Sequence, residues 1–455
     1  MPRKKPSNKQ GIPPVEASPT KNLFLEALTS DLDLADAVSD LVDNCADAAL
    51  RLRGKTNYRG LNVHITFGKD KPFEIRDNCG GIDLETASTV LFRLGRPATY
   101  RETPGQVGRF GIGMKRAVFM MGNRISVESW TSDSHFKIDI GLERWKNDPE
   151  WDFKFSIYEK GKKTRGQEAG TVIQVSQLKD TIKQEFGLPT FEPELMERLQ
   201  KEQKTALSRE LGVFVNSKRL IAEPYRLKYL QSHIEPAYFV KSYNGTTETP
   251  LNVEIVAGVD ESKPKDAGWY VACNGRFILV ADKSSKTGWG EEDAEGEILV
   301  PKMHQQFARF RGYVFFDCDD AKKLPWNSTK TGLNTDSHIY RETRQLMVTT
   351  ARPVITFLNR LDAEKELDER PLHKTIDTAE SRPVTVLTTD LPKNKNFRFT
   401  GLEGKTDPEQ PIRISYVKRL GDVQKVRRKL QVEKNREVGS RTFDYFFERE
   451  IRKKA

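Results

Sequence analysis

A single helical stretch, from about Asp33 to Arg51, constrains this chain more than any other feature. Leu34, Ala37, Val38, Leu41, Val42, Cys45, Ala48 and Ala49 recur at three- and four-residue steps, the spacing of an amphipathic helix. Opposite that face, Asp36, Asp40, Asp43, Asn44 and Asp47 fall within one narrow stripe. Carboxylates spaced at one-turn intervals repel one another, and no Lys or Arg within 33–50 compensates them. Such a stripe reads either as a solvated acidic face or as a surface that meets a cation. The Asn within it makes it a candidate metal face if a phosphate site lies nearby, because Mg²⁺ takes a few oxygen ligands and keeps several waters.

Two glycine motifs follow. In Ile75-Arg76-Asp77-Asn78-Cys79-Gly80-Gly81-Ile82 a carboxylate ends a strand and two glycines let the backbone turn sharply. A buried carboxylate there accepts a hydrogen bond from an exocyclic amine, which is one way to read adenine; the same pattern also serves as an ordinary turn. In Gly108-Arg109-Phe110-Gly111-Ile112-Gly113-Met114-Lys115 a glycine-rich loop runs into a helix. Glycines before a helix N-terminus expose N–H groups to phosphate, and the helix dipole favours the anion. A Walker A loop is excluded, since the Lys stands one position late and no strand precedes it. The dinucleotide fingerprint is excluded too, because Arg116 stands where its last Gly belongs.

With these motifs in this order, the chain resembles the GHKL ATPases, the superfamily of gyrase, HtpG-type chaperones, MutL, histidine kinases and MORC proteins. The first family motif is matched by Asp40-Leu41-Val42-Asp43-Asn44, continuing through Asp47; the second by Asp77 and Gly81, with Cys79 in place of a Gly; the third by Gly108, Gly111 and Gly113. A late Gly-Thr on a strand fits Gly170-Thr171. The resemblance covers about residues 22–180. It implies that Asn44 holds Mg²⁺, Asp77 reads the adenine amino group, the three glycines wrap the triphosphate and Lys115 touches it. Asp47 and Thr171 join the same ATP site. Asp40 takes the place of the general base, where the family usually has Glu. Lys330, in the loop Pro325–Gly332, is the candidate for the transducer lysine that reaches the γ-phosphate; an exposed loop lysine is the plainer alternative.

The expected fold class is α+β: a two-layer α/β sandwich of the Bergerat ATP-binding type, then an α/β transducer domain and a small basic C-terminal module. The expected divisions are a basic tail over 1–21, the ATP-binding domain over 22–190, a transducer-like domain over 191–362, a Pro- and charge-rich linker over 363–410 and the C-terminal module over 411–455. In the ATP-binding domain, strands are expected at 61–67, 72–76, 124–130, 135–141, 153–158 and 171–176, followed by a helical stretch over 191–211. The segments GVFV, WYVACN, FILVA and GYVFFD read as strands of the transducer-like domain. In the last module ISYV reads as a strand, and Val423, Val426 and Leu430 share one helix face.

Cys45, Cys79, Cys273 and Cys318 form neither CxxC pairs nor a disulfide framework, and the six histidines are scattered, which argues against a structural zinc. No apolar run approaches 18 residues, so no membrane span is expected. The basic start is followed by no apolar signal core, so the expected location is the cytoplasm. A histidine kinase would place its ATP domain last, after a phosphoacceptor helix, whereas here the ATP motifs come first. Two readings stand: an ATPase of MORC/MutL-like layout whose homodimer closes on ATP, or a nucleotide-gated interaction module with negligible turnover, favoured by Asp40 in place of Glu.

The net charge of +10 is uneven, with 14 Lys/Arg against 6 Asp/Glu in the last 45 residues, including Arg427, Arg428, Lys429 and Arg452-Lys453-Lys454. This charge suits nucleic-acid phosphates as partner. If those groups grip DNA, affinity should fall steeply with salt, show little sequence preference, and lose slope on truncation at residue 405 while ATP binding persists. Salt titrations of binding to a labelled duplex check this, and binding indifferent to salt would favour a protein partner.

Overall fold

The structure is a computed structural model. It describes every residue except 1–19, 94, 96, 98–102, 109–110, 162–167, 222, 244–248, 294, 328–329, 331, 368, 403–413, 415–416 and 453–455. Residues 20–363 with 371–402 form one compact unit, and residues 364–370 with 414–452 belong to a second.

Helix α1 (Lys21–Thr29) precedes α2 (Leu34–Arg53). Asp33 caps α2 by accepting the Asp36 N–H at 2.6 Å, and Gly54, at φ +64°, ends it. Strands β1 (Asn62–Gly68) and β2 (Lys71–Asp77) form a hairpin. After α3 (Leu84–Thr89) and α4 (Gly113–Met121) come β3 (Gly122–Trp130), β4 (Ser134–Gly141), α5 (Leu142–Lys146), β5 (Phe155–Lys160) and β6 (Gly170–Leu178). Helices α6 (Asp180–Phe186), α7 (Phe191–Glu202) and α8 (Lys204–Ser208) lead to β7 (Gly212–Val215) and β8 (Lys218–Arg219). These strands make one sheet in the order β5-β4-β3-β6-β2-β1-β7-β8, antiparallel except for the parallel β1–β7 pair. Alternation along β1 buries Val63, Ile65 and Phe67 and leaves His64 and Thr66 exposed, so one face carries the helices and the other meets solvent. The large mixed sheet with helices gives an α+β fold.

Two readings from sequence change here. GVFV, assigned above to the following domain, is β7: its register along β1 (Val63 beside Val213) extends the first sheet. Lys21, counted with the tail, opens α1, is buried, and donates to the carbonyls of Trp145 (2.8 Å) and Asp148 (2.6 Å). Tail residues 1–19 lie outside the described residues.

The short strands β9 (Arg226–Tyr229) and β10 (Ile234–Glu235) precede β11 (Ala237–Tyr243), β12 (Leu251–Val259), β13 (Gly268–Cys273) and β14 (Arg276–Asp282). After β15 (Glu291–Glu292) and β16 (Ile298–Val300), β17 (Phe310–Cys318) enters the centre of a second sheet ordered β11-β12-β17-β13-β14. Helix α9 (His338–Ala363) buries Met347, Val354 and Leu358 with the sheet residues Val253, Ile255 and Val314. Val256 and Tyr313, which alternate with them, and Ala272, which alternates with Val271 and Cys273, pack with Leu227, Val384 and Leu387 in a separate cluster.

Residues 371–402 are therefore not a loose linker. They hold α10 (Pro371–Thr378), β18 (Glu380–Pro383), α11 (Val384–Asp390) and β19 (Arg398–Phe399); β18 pairs with β9 and β19 with β10. Pro and charge density concealed a few well-spaced apolar residues: Leu372, Ile376, Leu387 and Phe397 are all buried. The second unit holds α12 (Leu420–Leu430) and α13 (Asn435–Phe446), which contact each other; among its described residues Val432 and Val438 are the buried apolar ones. Val426 is exposed, so the expected apolar face of α12 is not a core. Of the expected ISYV strand, 415–416 lie outside the described residues, as do Lys453 and Lys454. No helix among the described residues is long and apolar enough to cross a membrane.

The ring of Phe397 meets Phe357 edge-on at 5.6 Å. Phe397→Ala should cost about 3–5 kcal/mol, visible as a lower urea midpoint. An unchanged midpoint would mean that 371–402 adds little to the unit.

Candidate active site

Three of the four carboxylates in the stripe on α2 are out of water. Asp40, Asp43 and Asp47 are all buried, whereas Asn44 is exposed. Each member has its own task. Asp36 pairs with Arg198 of α7. Asp43 accepts from Lys330 Nζ at 2.8 Å and from Gln203 at 2.5 Å, and lies 3.1 Å from the Arg276 guanidinium. Asp40 lies 3.4 Å from the same Lys330 ammonium. Asp47 accepts the N–H groups of Val107 (2.8 Å) and Gly108 (2.7 Å), so it fastens the glycine-rich loop to α2.

Burial sets the electrostatics. It pushes the Asp40 carboxyl up, with Lys330 acting against it. Burial would push Asp43 up too, but Arg276 and Lys330 outweigh it and hold that carboxyl low. Asp47 is raised by burial, opposed by its two backbone donors. Lys330 is held well above the usual lysine range: burial disfavours its charge, yet Asp43 and Asp40 overcome that. Arg276, also buried, faces Glu202 at 2.7 Å and donates to Ser39 at 3.1 Å.

Asp77 ends β2 at the floor of the cavity. Its carboxylate accepts the Cys79 N–H at 2.8 Å and the Cys45 thiol at 3.6 Å. Burial pushes it up to about 6, against those donors. Gly81 follows at φ +73°, and a Cβ there would sit 2.0 Å from the Trp130 carbonyl oxygen, so no other residue fits. Ser129 Oγ accepts the Ile82 N–H at 2.8 Å and lies 3.0 Å from Thr171 Oγ1, tying the turn to β6.

The loop before α4 carries Gly108 and Gly111; Arg109 and Phe110 lie outside the described residues. Lys115, buried in the first turn of α4, donates to the Gly111 carbonyl. At Gly113 a Cβ would approach Asp40 Oδ2 to 2.9 Å, so this glycine lets α4 close on the acidic stripe. Lys330 reaches in from the far side of the chain on a backbone at φ +56°; Ser328, Thr329 and Thr331 lie outside the described residues.

Asp40, Asn44, Asp47, Asp77, Gly81, Gly108, Gly111, Gly113, Lys115, Thr171 and Lys330 all line one cavity of about 330 Å³. Sequence reading missed the roles of Arg276, Gln203 and Arg116. Arg116 also lines the cavity and donates to the Leu28 carbonyl at 2.9 Å. It missed Asn274 as well, which donates to the Gln106 carbonyl at 3.1 Å and so holds the loop from the second sheet. The one available signal was the uncompensated acid on α2, which demanded cations from elsewhere without saying which.

The desolvated Asp77 has a testable consequence. Its folded value of about 6 lies above the ordinary 3.8, so the folded state binds the extra proton between those values. Stability contributed there should be present at low pH and fall as pH rises towards 6. Asp77→Asn should flatten that slope and raise the urea midpoint at pH 7; a parent-like pH profile would contradict the assigned desolvation.

Residues 32–171 match the family model of histidine kinase-, DNA gyrase B-, and HSP90-like ATPases. No curated protein matches the chain. The matched span contains α2, the Asp77 turn, the glycine-rich loop and the start of β6. The N-terminal part of this chain is therefore a GHKL-type ATPase domain, a class that binds ATP.

Proposed function

We propose that the chain binds Mg·ATP in the cavity under α2, hydrolyses it slowly and uses it to close a homodimer of MORC/MutL-like layout, acting on DNA or a DNA-associated protein. The observation that carries this reading is the Lys330 ammonium, brought from the second half of the unit to the cavity wall between Asp40 and Asp43. A γ-phosphate in the cavity would compete with both carboxylates for that lysine. ATP would thereby favour one arrangement of the two halves by its differential affinity for it.

The donor set suits Mg²⁺. Asn44 presents an amide at the cavity, and among the described residues no group of His, Cys, Asp or Glu could hold a metal by itself. Magnesium would then rest on Asn44, phosphate oxygens and water, and would offset the phosphate charge. Asp77 would accept from the adenine amine, Gly81 would let the ring approach, and Gly108, Gly111 and Gly113 with Lys115 would hold the phosphates. Thr171 would fix the turn at the adenine end, and Asp47 would keep the loop in place. Asp40, made more basic by burial, would orient and deprotonate the attacking water.

Asp is one methylene shorter than Glu, which withdraws the oxygens by roughly 1 Å, and a misplacement of that size can cost on the order of 10²-fold. Turnover should thus fall well below the ~10 s⁻¹ typical of enzymes. The pairing of Asp40 with Lys330 also supports the second reading, a nucleotide-gated interaction module, because an engaged carboxylate is a poor base.

Assays of ADP release, calorimetry and particle size with a non-hydrolysable analogue separate the two. Asn44→Ala should abolish Mg·ATP binding. Asp40→Asn should keep ATP, lose turnover and stay closed, whereas Asp40→Glu should preserve or raise turnover. Lys330→Ala should bind ATP nearly normally yet fail to close. Asp40→Asn hydrolysing at the parent rate would place the base elsewhere, and a parent without turnover in Mg²⁺ and DNA would leave the gated module.

A further inference from the structure

A second cavity, of about 650 Å³, lies on the other side of α2 and of the glycine-rich loop. It shares Asp47 with the ATP cavity and is also lined by Gly105, Val107, Gln203 and Arg276, the groups that carry the loop or hold Asp43. Most charges in its wall are spoken for: Lys55 faces Asp317 at 4.0 Å, and Arg276 faces Asp43 and Glu202. Two are not. Lys204, at the start of α8, has no carboxylate in contact among the described residues; its ammonium sits 3.7 Å from the centroid of the Tyr225 ring. Arg209, just past the end of α8, donates to the Tyr58 hydroxyl at 3.2 Å; its charge acts with Lys55 on the buried Asp317, but it makes no close ion pair among the described residues.

An ammonium taken out of water with only a ring face for company is poorly compensated. Burial pushes Lys204 down to about 8, against the weak pull of Glu223 and Asp266. The ring beneath it is fixed, since Tyr225 packs against Phe277 at 4.8 Å and Tyr313 at 4.9 Å. Tyr58 and Phe315 add two more aromatic walls, and Val384 and Val386 of α11 line the space as well. A cavity in the ligand-sized range, largely apolar and aromatic, with two unpaired cations at one short helix, is built for an anion on a flat body.

We propose that this cavity binds a small organic anion of the phosphorylated-ring class, about the size of a mononucleotide or a pyridine phosphate, its phosphate meeting Lys204 and Arg209 and its ring lying among Tyr58, Tyr225 and Phe315. The site is independent of whether ATP is hydrolysed, and its test uses no nucleotide.

The probe is pyridoxal 5′-phosphate on the full chain. Its aldehyde condenses with a lysine amine with loss of water, borohydride reduces the imine, and peptide mass spectrometry locates the label. Lys204 should be labelled at least tenfold faster than the median lysine. Pyridoxal, which lacks the phosphate, separates recognition from the mere reactivity of a lysine with a low pKa, and should lose most of the preference. Arg209→Ala should lose it as well, while Arg209→Lys, which keeps the charge, should retain it. Label spread evenly over the lysines, equal preference with pyridoxal, or preference unaffected by Arg209→Ala would each overturn the assignment.

Discussion

The acidic face of α2 is the constraint on which the rest of the unit depends. Three of its carboxylates are buried, and a buried charge left without a partner costs several kcal/mol. The helix carries no cation within 33–50, so its partners arrive from far along the chain. Lys330 lies 290 residues from Asp40, and Arg276 reaches Asp43 from β14. Neither half can satisfy this network alone. That is the physical reason why the ATP-binding sheet and the second sheet pack as a single unit rather than as beads on a string.

The same economy governs the glycine-rich loop. A loop of small residues has little side chain with which to hold itself, and here it is fastened from two directions. Asp47 accepts two of its N–H groups, and Asn274 donates to the Gln106 carbonyl. Asn274 itself sits at φ +49° in the turn between β13 and β14 and bonds twice to Cys318. Loop, α2 and second sheet thus share one set of hydrogen bonds. A displacement of any one of them would strain the bonds to the others.

Much of this was legible in the chain. Alternation in β1 and the three- and four-residue steps of α2 marked the elements, because burial of one face leaves a period in the sequence. Asp77 with Gly81, and Gly113 near Lys115, stood out because tight turns and close approaches admit few residue types. Other parts were hidden. GVFV looks like any short buried strand, and nothing local says which sheet it joins; its parallel pairing with β1 was settled by the helices that carry the chain across. The stretch 371–402 has the composition of a linker, and its few apolar residues became a core only by meeting partners from distant strands.

The sequence by itself determined which residues are chemically capable: an Asn among carboxylates, an acid before a glycine turn, glycines before a helix. These depend on neighbours within a few positions, where backbone geometry is fixed by residue type. Only the tertiary structure decided how the acidic stripe is divided. It gave Asp47 to the loop, Asp43 to Arg276 and Lys330, and set Asp40 beside Lys330 with Asn44 at the cavity. Such assignments depend on which distant cation arrives within about 3 Å, and no local spacing encodes that.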